Sequence, residues 1–222
     1  MRAIYIIYLA FISFTNAQFC YQDIHTGCTF PNEQIQNCHA RYSAVEHVVP
    51  DLQSYIMHHL HHSFQYLLMS TNFATYESNR EGFAKLFRKF SDSTWDDAID
   101  LIKYINKRGG NMDFNTPVPA EHDHGLNKNF NMFELESLSI ALDMYKSLAS
   151  KAHRIHSDVT RRREEYHDAE TLSYMENKFV HKHADRIREL AGYSNDLSNM
   201  LLKGENPHLS LFLFDEYLHK QV

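Results

Sequence analysis

The sequence predicts an all-α fold: a four-helix bundle with a long crossover between the second and third helices and a short fifth helix at the C-terminus. Long segments repeat apolar residues at steps of three and four, which marks one buried face per helix. Only 7 Gly and 5 Pro occur among 222 residues, so few positions interrupt the helices. No segment alternates apolar and polar residues with a period of two, which excludes sandwich and barrel folds. The length suits one sizeable domain.

The first two helices are the most clearly periodic part of the chain. The first is predicted at about residues 44–73 and the second at about residues 80–107. Gly109 and Gly110 end the second helix, because glycine commonly follows a helix C-terminus. Residues 111–129 have no helical period and contain prolines, so we expect a long crossover on the surface.

The third and fourth helices follow the crossover. The third is predicted to start near Met132, and a break is expected around residues 156–163. The fourth continues to Leu202, and Gly204 stops it. Residues 209–219 form a last, strongly apolar segment after the bundle is complete. Such a segment usually packs between subunits, and we expect that here.

The first residues have the pattern of a secretory signal peptide. Arg2 gives residues 1–17 a positive start, residues 3–14 form an apolar run, and small residues then offer a cleavage site. A membrane anchor is the alternative, but the apolar run is short for a bilayer. We therefore expect no membrane association after cleavage, an extension at residues 18–42 and a helical domain at residues 43–222.

All three cysteines, Cys20, Cys28 and Cys38, lie in this extension. In an oxidising compartment cysteines are normally paired. One bridge within the chain and one bridge to another chain is the simplest arrangement for an odd number, and a free thiol is the alternative. The spacings do not favour a zinc site.

The charge pattern argues against nucleic-acid binding. The formal net charge is -6, the sequence pI is about 6.2, and no basic stripe is present. A mildly acidic surface suits a protein that handles cations, although many proteins share this property.

Polar side chains interrupt the two clearest apolar stripes. His59 and Tyr66 fall on the first stripe, and Thr94 and Asp97 fall on the second. Burying polar groups without partners is costly. These positions therefore indicate a buried metal site or the remains of one.

Several short motifs give the chain, from roughly Tyr42 to its end, a resemblance to the ferritin family. The matching segments are residues 67–69 (LLM), 106–110 (NKRGG), 141–144 (ALDM), 187–190 (IREL) and 213–218 (LFDEYL). The signal peptide and the cysteines resemble those of the secreted ferritins of insects. The departures at the catalytic positions, described below, make the chain more similar to their light type than to their heavy type.

The resemblance implies a ferritin-like bundle in a shell of 24 subunits that stores iron as a ferric mineral. A catalytic heavy-type chain would be the partner, joined by an interchain disulfide. The expected location is the secretory pathway, in the Golgi, in vesicles or outside the cell.

The resemblance also predicts that the catalytic centre has been lost. Catalytic ferritin chains hold two irons with a Glu on the first helix, Glu-x-x-His on the second, a Glu on the third and a Gln on the fourth. The matching positions here are His59, Thr94 with Asp97, Tyr145 and His183. Tyr66 matches a tyrosine beside that centre. Since every helix departs from the pattern, we expect no ferroxidase activity.

Two other functions stay open at this point. The first is an altered centre, formed by His59, Asp97 and His183, that binds one metal or has ferroxidase activity. The alternative for the same residues is a hydrogen-bonded polar core. The second function is that of a secreted monomeric bundle that binds a ligand or receptor. The apolar last segment and the NKRGG motif favour a shell over that monomer.

A histidine cluster on the first helix also suggests metal binding. His58 and His62 are one turn apart, as many helical metal ligands are. The chain contains 16 His, so the pattern is not specific. We expect only His59 to face the core, whereas His58, His61 and His62 face a neighbour or the shell surface.

Two sets of carboxylates are candidates for handling iron. Asp92 and Asp96, which form a row with Asp100, match the place where light chains nucleate mineral, and a solvated charged face is the alternative. Glu176 matches an acid of the three-fold entry pore, where a ring of acids attracts cations. Its companion position is Ser173, and an ordinary surface Glu is the alternative.

Overall fold

The computed structural model describes residues 38–115, 133–161, 166–204 and 206–221. The predicted signal peptide, Cys20, Cys28 and most of the predicted crossover lie outside the described residues. Cys38 is disulfide-bonded. The chain divides into two compact units, Met1–Ala40 and Arg41–Val222, and the second contains every helix described below.

All regular secondary structure in the described part of the second unit is helical. In chain order its helices are α1 (Val45–Phe73), α2 (Glu81–Lys107), α3 (Glu134–Arg161), α4 (Ala169–Met175), a π-helical segment (Glu176–Val180), α5 (His181–Lys203) and α6 (Pro207–Gln221). The helix α4, the π-helical segment and α5 follow one another directly and form the fourth long helix of the bundle. The described residues contain no strand, and the predicted all-α fold is confirmed.

The helix boundaries agree with the sequence prediction except at the end of α3 and in the last helix, α6, which is two residues longer at each end than predicted. Helices α1 and α2 each begin one residue later than predicted and end where predicted. Helix α3 continues to Arg161, so the break predicted from residue 156 begins later. The reason is that Ile155 and Val159, 3% and 4% exposed, extend the buried stripe by another turn. The predicted start near Met132 lies outside the described residues.

The antiparallel pair α1 and α2 forms one half of the bundle. Small residues let the two backbones approach closely at Ser63 and Ser91. Each hydroxyl donates to the backbone carbonyl of the other serine, at 3.0 Å and 2.9 Å. The apolar faces meet beside this contact, where Phe73 stacks on Phe87 with ring centroids 5.6 Å apart. Burying a side chain of this size stabilises the fold by roughly 1.5–3 kcal/mol.

The other half of the bundle consists of α3 packed against α5, and α1 packs against α3 to join the two halves. Leu138, Ala152 and Leu190, which belong to the predicted apolar stripes, are fully inaccessible to solvent here. Among the residues that the structure describes, no helix combines the length and the apolar character that a membrane crossing requires.

A buried arginine joins the ends of three helices. Arg108 follows α2 and is 1% exposed. Its guanidinium donates to Asp168 Oδ2 at 2.7 Å, to Glu170 Oε2 at 2.8 Å and to the Tyr42 carbonyl at 3.2 Å. Asp168 is also the N-cap of α4, because its side chain accepts from the backbone N–H groups of Glu170 and Thr171. The end of α2, the start of α4 and the segment before α1 are thus fixed together.

The charge balance of this network keeps Arg108 protonated. Burial alone would lower the pKa of Arg108, but the hydrogen bonds to Asp168 and Glu170 outweigh it and raise that pKa. The next residue, Gly109, has a φ of 77°, the left-handed conformation that glycine adopts after a helix C-terminus. The NKRGG motif therefore combines a helix stop with a buried cation.

The C-terminal helix α6 packs against α2 and α5 on one side only. Asp215 Oδ1 accepts from the Phe83 backbone N–H at 3.0 Å and so caps the first turn of α2. A Cβ at Gly82 would lie 2.0 Å from the Asp215 carbonyl oxygen, so only glycine fits there. The predicted apolar segment therefore has an intramolecular groove on this side. Its opposite side exposes Leu209, Phe212, Leu213 and Tyr217.

Replacing Arg108 by Met tests the network. Removal of one partner leaves the Asp168 carboxylate buried without its cation, so we expect the free energy of unfolding to fall by about 3–5 kcal/mol. The measurement is urea denaturation followed by circular dichroism. The neighbouring Lys107→Met is the matched control: Lys107 is 72% exposed and 3.7 Å from Glu170, so it should cost at most about 1 kcal/mol. Equal effects of the two substitutions would contradict the assigned role of Arg108.

Candidate functional site

Five of the six predicted centre positions lie together in the middle of the bundle. His59, Tyr66, Thr94, Tyr145 and His183 are each at most 1% exposed. The rings of His59 and His183 are 5.9 Å apart between centroids, and Tyr145 is 6.1 Å from His183 and 5.6 Å from Tyr66. The residues come from all four long helices, so the structure brings together five of the positions that the ferritin resemblance singled out.

A sixth residue, which the sequence interpretation missed, completes this cluster. The hydroxyl of Tyr55 is 2.6 Å from His183 Nε2. The backbone carbonyl of the same tyrosine accepts from His59 Nδ1 at 3.0 Å. Tyr55 precedes His59 by one helical turn on the same face, and this i, i+4 spacing was the available signal.

Asp97 lies at the edge of the cluster and has a different partner. Both of its carboxylate oxygens accept from Lys182 Nζ, at 2.6 Å and 2.7 Å. The structure therefore does not gather His59, Asp97 and His183 into a three-ligand set. In the described ranges no group of three or more His, Cys, Asp or Glu side chains has a geometry that could hold a metal ion.

The buried cluster is electrically neutral near pH 7. Burial lowers the pKa of His183 to about 4, and the nearby charge of Lys182 adds to this effect. Burial lowers the pKa of His59 as well, with a further contribution from His183. The pKa of Tyr55 is raised by burial and then by Asp97, and burial raises that of Tyr145 to about 12. The cluster thus contains neutral imidazoles and phenols.

Two nitrogens in the cluster have no hydrogen-bond partner among the described residues. They are His59 Nε2 and His183 Nδ1. A neutral imidazole nitrogen is a metal donor, but iron chemistry of the diiron type also needs bridging carboxylates. The described cluster provides none, since its carboxylate, that of Asp97, is bound to Lys182. Its arrangement suits a packed polar core.

The histidine cluster is arranged differently from the prediction. His58 and His62 are 3% and 8% exposed, so the expectation that they face outward is wrong for these two. Their ring centroids are 6.4 Å apart. They lie on the same flank of α1 as Met69, which is fully buried, so this flank belongs to the interior. His61 is exposed, as predicted.

Known protein families and solved structures match this chain. A model of the ferritin-like domain matches residues 51–200. The chain belongs to the ferritin family. It is 40% identical over 208 residues to a ferritin light chain of Drosophila melanogaster, covering 92% of this chain and 90% of that relative. It is 38% identical over 215 residues to a ferritin light chain of Trichoplusia ni, covering 93% of this chain and 92% of that relative.

A solved ferritin structure supports the same assignment. The crystal structure of Trichoplusia ni secreted ferritin matches with a TM-score of 0.81 and 38% identity, over 92% of this chain and 100% of that chain. The predicted relationship to insect ferritin light chains is thereby confirmed. The chain is an iron-storage ferritin subunit, and the iron that this family stores is a ferric mineral.

The candidate iron-handling carboxylates of this ferritin subunit lie at its surface. Asp92 and Asp96 are both exposed. Asp92 forms an ion pair with Arg88 at 3.0 Å, and Asp100 lies 3.7 Å from Lys103. Asp96 has no such ion pair with any residue that the structure describes. The row therefore has partly paired carboxylates and one open carboxylate.

Glu176 is exposed and begins the π-helical segment. Sequence interpretation did not predict this segment, in which the extra residue per turn is a departure common at functional sites. Phe179 lies within it and reaches the buried cluster, with its ring 5.5 Å from Tyr55 and 5.6 Å from His59. The π-helical segment thus changes which side of the fourth long helix faces the core near Glu176.

The pH dependence of stability tests the neutral cluster. In the unfolded chain an imidazole has a pKa near 6.5, whereas that of folded His183 is about 4. Between these values the unfolded chain binds a proton that the folded chain does not. The contribution of His183 to stability is therefore fully present above pH 6.5 and is lost as the pH falls towards 4.

The substitution His183→Gln removes this titration and keeps a polar group beside Tyr55. It should reduce the loss of unfolding free energy between pH 6.5 and 4 by about 3 kcal/mol. Urea denaturation at a series of pH values measures the difference between variant and parent. His61→Gln is the matched control, because it makes the same substitution at an exposed histidine outside the buried cluster. The same slope in His183→Gln as in the parent would contradict the neutral cluster.

Proposed function

We propose that this chain is the non-catalytic, light-type subunit of a secreted ferritin shell, and that a heavy-type chain oxidises the iron. The observation that supports this most directly is the content of the bundle centre. Tyr55, His59, Tyr145 and His183 fill it with neutral side chains, and Asp97 is held by Lys182. Two ferrous ions bring four positive charges, which neutral donors in a buried site do not compensate.

The energetics of the centre favour a structural role. The hydrogen bond between Tyr55 and His183 links α1 to α5, and the ion pair between Asp97 and Lys182 links α2 to α5. A metal ion bound through Asp97 or through His183 Nε2 would have to displace these contacts. Breaking the ion pair would leave the Asp97 side chain, which is 15% exposed, without its cation. These contacts between helices support a structural role for the centre.

The shell would be built from contacts outside the buried centre. The exposed side of α6, with Phe212 and Leu213 each 53% exposed, is the apolar surface we assign to contacts between subunits. We propose a shell of 24 subunits with an interchain disulfide from the extension that carries Cys20, Cys28 and Cys38. A signal peptide at residues 1–17 would direct the chain into the secretory pathway, including the Golgi and vesicles.

Carboxylates on the surface would bind iron at two steps, its entry into the shell and the start of the mineral. Glu176 would contribute to the field of an entry pore, with other acids supplied by neighbouring subunits. Asp96 would bind the first ferric ions of the mineral. Asp92 would bind them too, although its ion pair with Arg88 competes with the iron. Ferric ion prefers hard oxygen donors as ligands.

Iron oxidation distinguishes this function from an altered ferroxidase. The purified chain is refolded alone and with a catalytic heavy-type ferritin chain, and assembly is checked by size-exclusion chromatography. Ferrous oxidation by the chain alone should proceed at the rate of protein-free buffer, because the centre lacks bridging carboxylates. The mixed shell should oxidise iron rapidly. Fast oxidation by this chain alone would overturn the proposal, and a stable monomer would favour the ligand-binding bundle.

Mineral growth tests the surface carboxylates. In mixed shells, the double substitution Asp92→Asn and Asp96→Asn should slow growth of the ferric core, since amides bind ferric ion more weakly than carboxylates do. Growth is followed by the absorbance of the mineral after a fixed iron load. Asp143→Asn is the matched control, because Asp143 is an exposed helical aspartate that pairs with Lys146 at 3.5 Å. Unchanged growth in the double variant would indicate a solvated charged face.

A further inference from the structure

The hydrogen bond between Tyr55 and His183 has a property that packing alone does not require. It joins a phenol to an imidazole at 2.6 Å, and both side chains are 1% exposed. A phenol that loses an electron becomes so acidic that its proton leaves at the same time. Inside a protein the proton needs a base already in contact, and a neutral imidazole is such a base.

We propose that Tyr55 and His183 form a proton-coupled redox pair that takes up one oxidising equivalent from the one-electron oxidants that ferrous iron generates with hydrogen peroxide. Tyr55 gives one electron to the oxidant, and its hydroxyl proton moves to His183 Nε2. The products are a neutral tyrosyl radical and an imidazolium, and a hydroxyl radical acting as oxidant becomes hydroxide. A one-electron reductant, such as ferrous ion, later restores the phenol as the proton returns.

A row of aromatic rings connects this pair to the surface. Tyr55 lies 5.5 Å from Phe179, Phe179 lies 5.9 Å from Tyr174, and Tyr174 stacks on Tyr104 at 3.9 Å, all between ring centroids. Tyr174 is partly exposed. Electron transfer falls off steeply with distance, so rings in sequence carry an electron much better than a gap of the same length. An oxidant at the surface of the fourth long helix therefore has a route to Tyr55.

The hydrogen-bond partner distinguishes Tyr55 from the other buried tyrosines of the cluster. Tyr66 is equally buried, but its hydroxyl donates to the Ala141 backbone carbonyl at 3.3 Å. Tyr145 has a threonine hydroxyl, that of Thr94, at 3.5 Å. Neither a carbonyl nor a hydroxyl accepts a full proton at neutral pH. Burial and the charge of Asp97 raise the pKa of Tyr55, so its proton is present to be transferred.

The experiment oxidises the assembled, iron-free protein and identifies the radical. Photo-generated tris(bipyridine)ruthenium(III), with persulfate as the electron acceptor, replaces the iron-derived oxidant, and samples are frozen within milliseconds for high-field EPR. The parent is compared with Tyr55→Phe, with His183→Gln and with the matched control Tyr66→Phe. Circular dichroism and size-exclusion chromatography verify each variant.

The parent should give a tyrosyl radical coupled to one proton that exchanges in deuterium oxide, the proton on His183. Tyr55→Phe should lose most of this signal, and His183→Gln should lose it as well because an amide is not a base. Tyr66→Phe should keep it. The proposal would be overturned if Tyr55→Phe gave the same signal as the parent. It would also be overturned if Tyr66→Phe lost the signal.

A measurement on the parent alone covers the case in which a variant does not assemble. The β-methylene hyperfine couplings of a tyrosyl radical report the torsion of its ring, and they should fit the side-chain torsion of Tyr55. Couplings that fit another tyrosine would overturn the assignment. The oxidant contains no iron, so the result is independent of whether this subunit is catalytic.

Discussion

The buried ion pair between Arg108 and Asp168 is the constraint on which the arrangement of the bundle depends. It fixes the end of α2 against the start of α4, and the contact of Arg108 with Tyr42 fixes the segment that leads into α1. Three chain segments that are far apart in sequence therefore meet at one guanidinium. The planar guanidinium has five N–H donors spread over three nitrogens in a fixed fork, whereas a lysine ammonium has three donors on a single nitrogen.

The consequences of this constraint reach the centre of the bundle. Once α1 and the fourth long helix are fixed at one end, Tyr55 on α1 and His183 on α5 face each other across the core. The distance of 2.6 Å between their polar atoms requires that register. The π-helical segment then turns Phe179 into the same cluster. The centre is thus defined by helix register as much as by residue identity.

The centre of the bundle also shows how buried polar side chains are accommodated by partners within the protein. Carboxylates without a metal would repel one another or take up protons in a buried space. Imidazole and phenol side chains of similar size are neutral there, and aromatic contacts add to the stability. The carboxylate of Asp97 accepts from Lys182, which offsets part of the rise in its pKa that burial causes. The same cluster places a tyrosine beside a base, which is the arrangement that the proposed one-electron chemistry needs.

Much of this molecule could be predicted from the sequence by itself. The apolar period predicted the helices within a residue or so for α1 and α2, because breakers are rare and the stripes are long. Polar residues on those stripes singled out His59, Tyr66, Thr94 and Asp97, and the ferritin resemblance added Tyr145 and His183. All of these except Asp97 are at most 1% exposed. A side chain on an apolar helical face must enter the core, whatever its partners are.

Only the tertiary structure decided which side chains are partners. Asp97 lies on a core stripe, yet it binds Lys182, and Tyr55 rather than Asp97 binds His183. The flank that holds His58 and His62 is interior, although the helical period placed it outside. The pairing of Arg108 with Asp168 joins residues 60 positions apart. Sequence periodicity fixes the face of one helix, whereas contacts between helices depend on their rotation and register, which packing of the whole bundle determines.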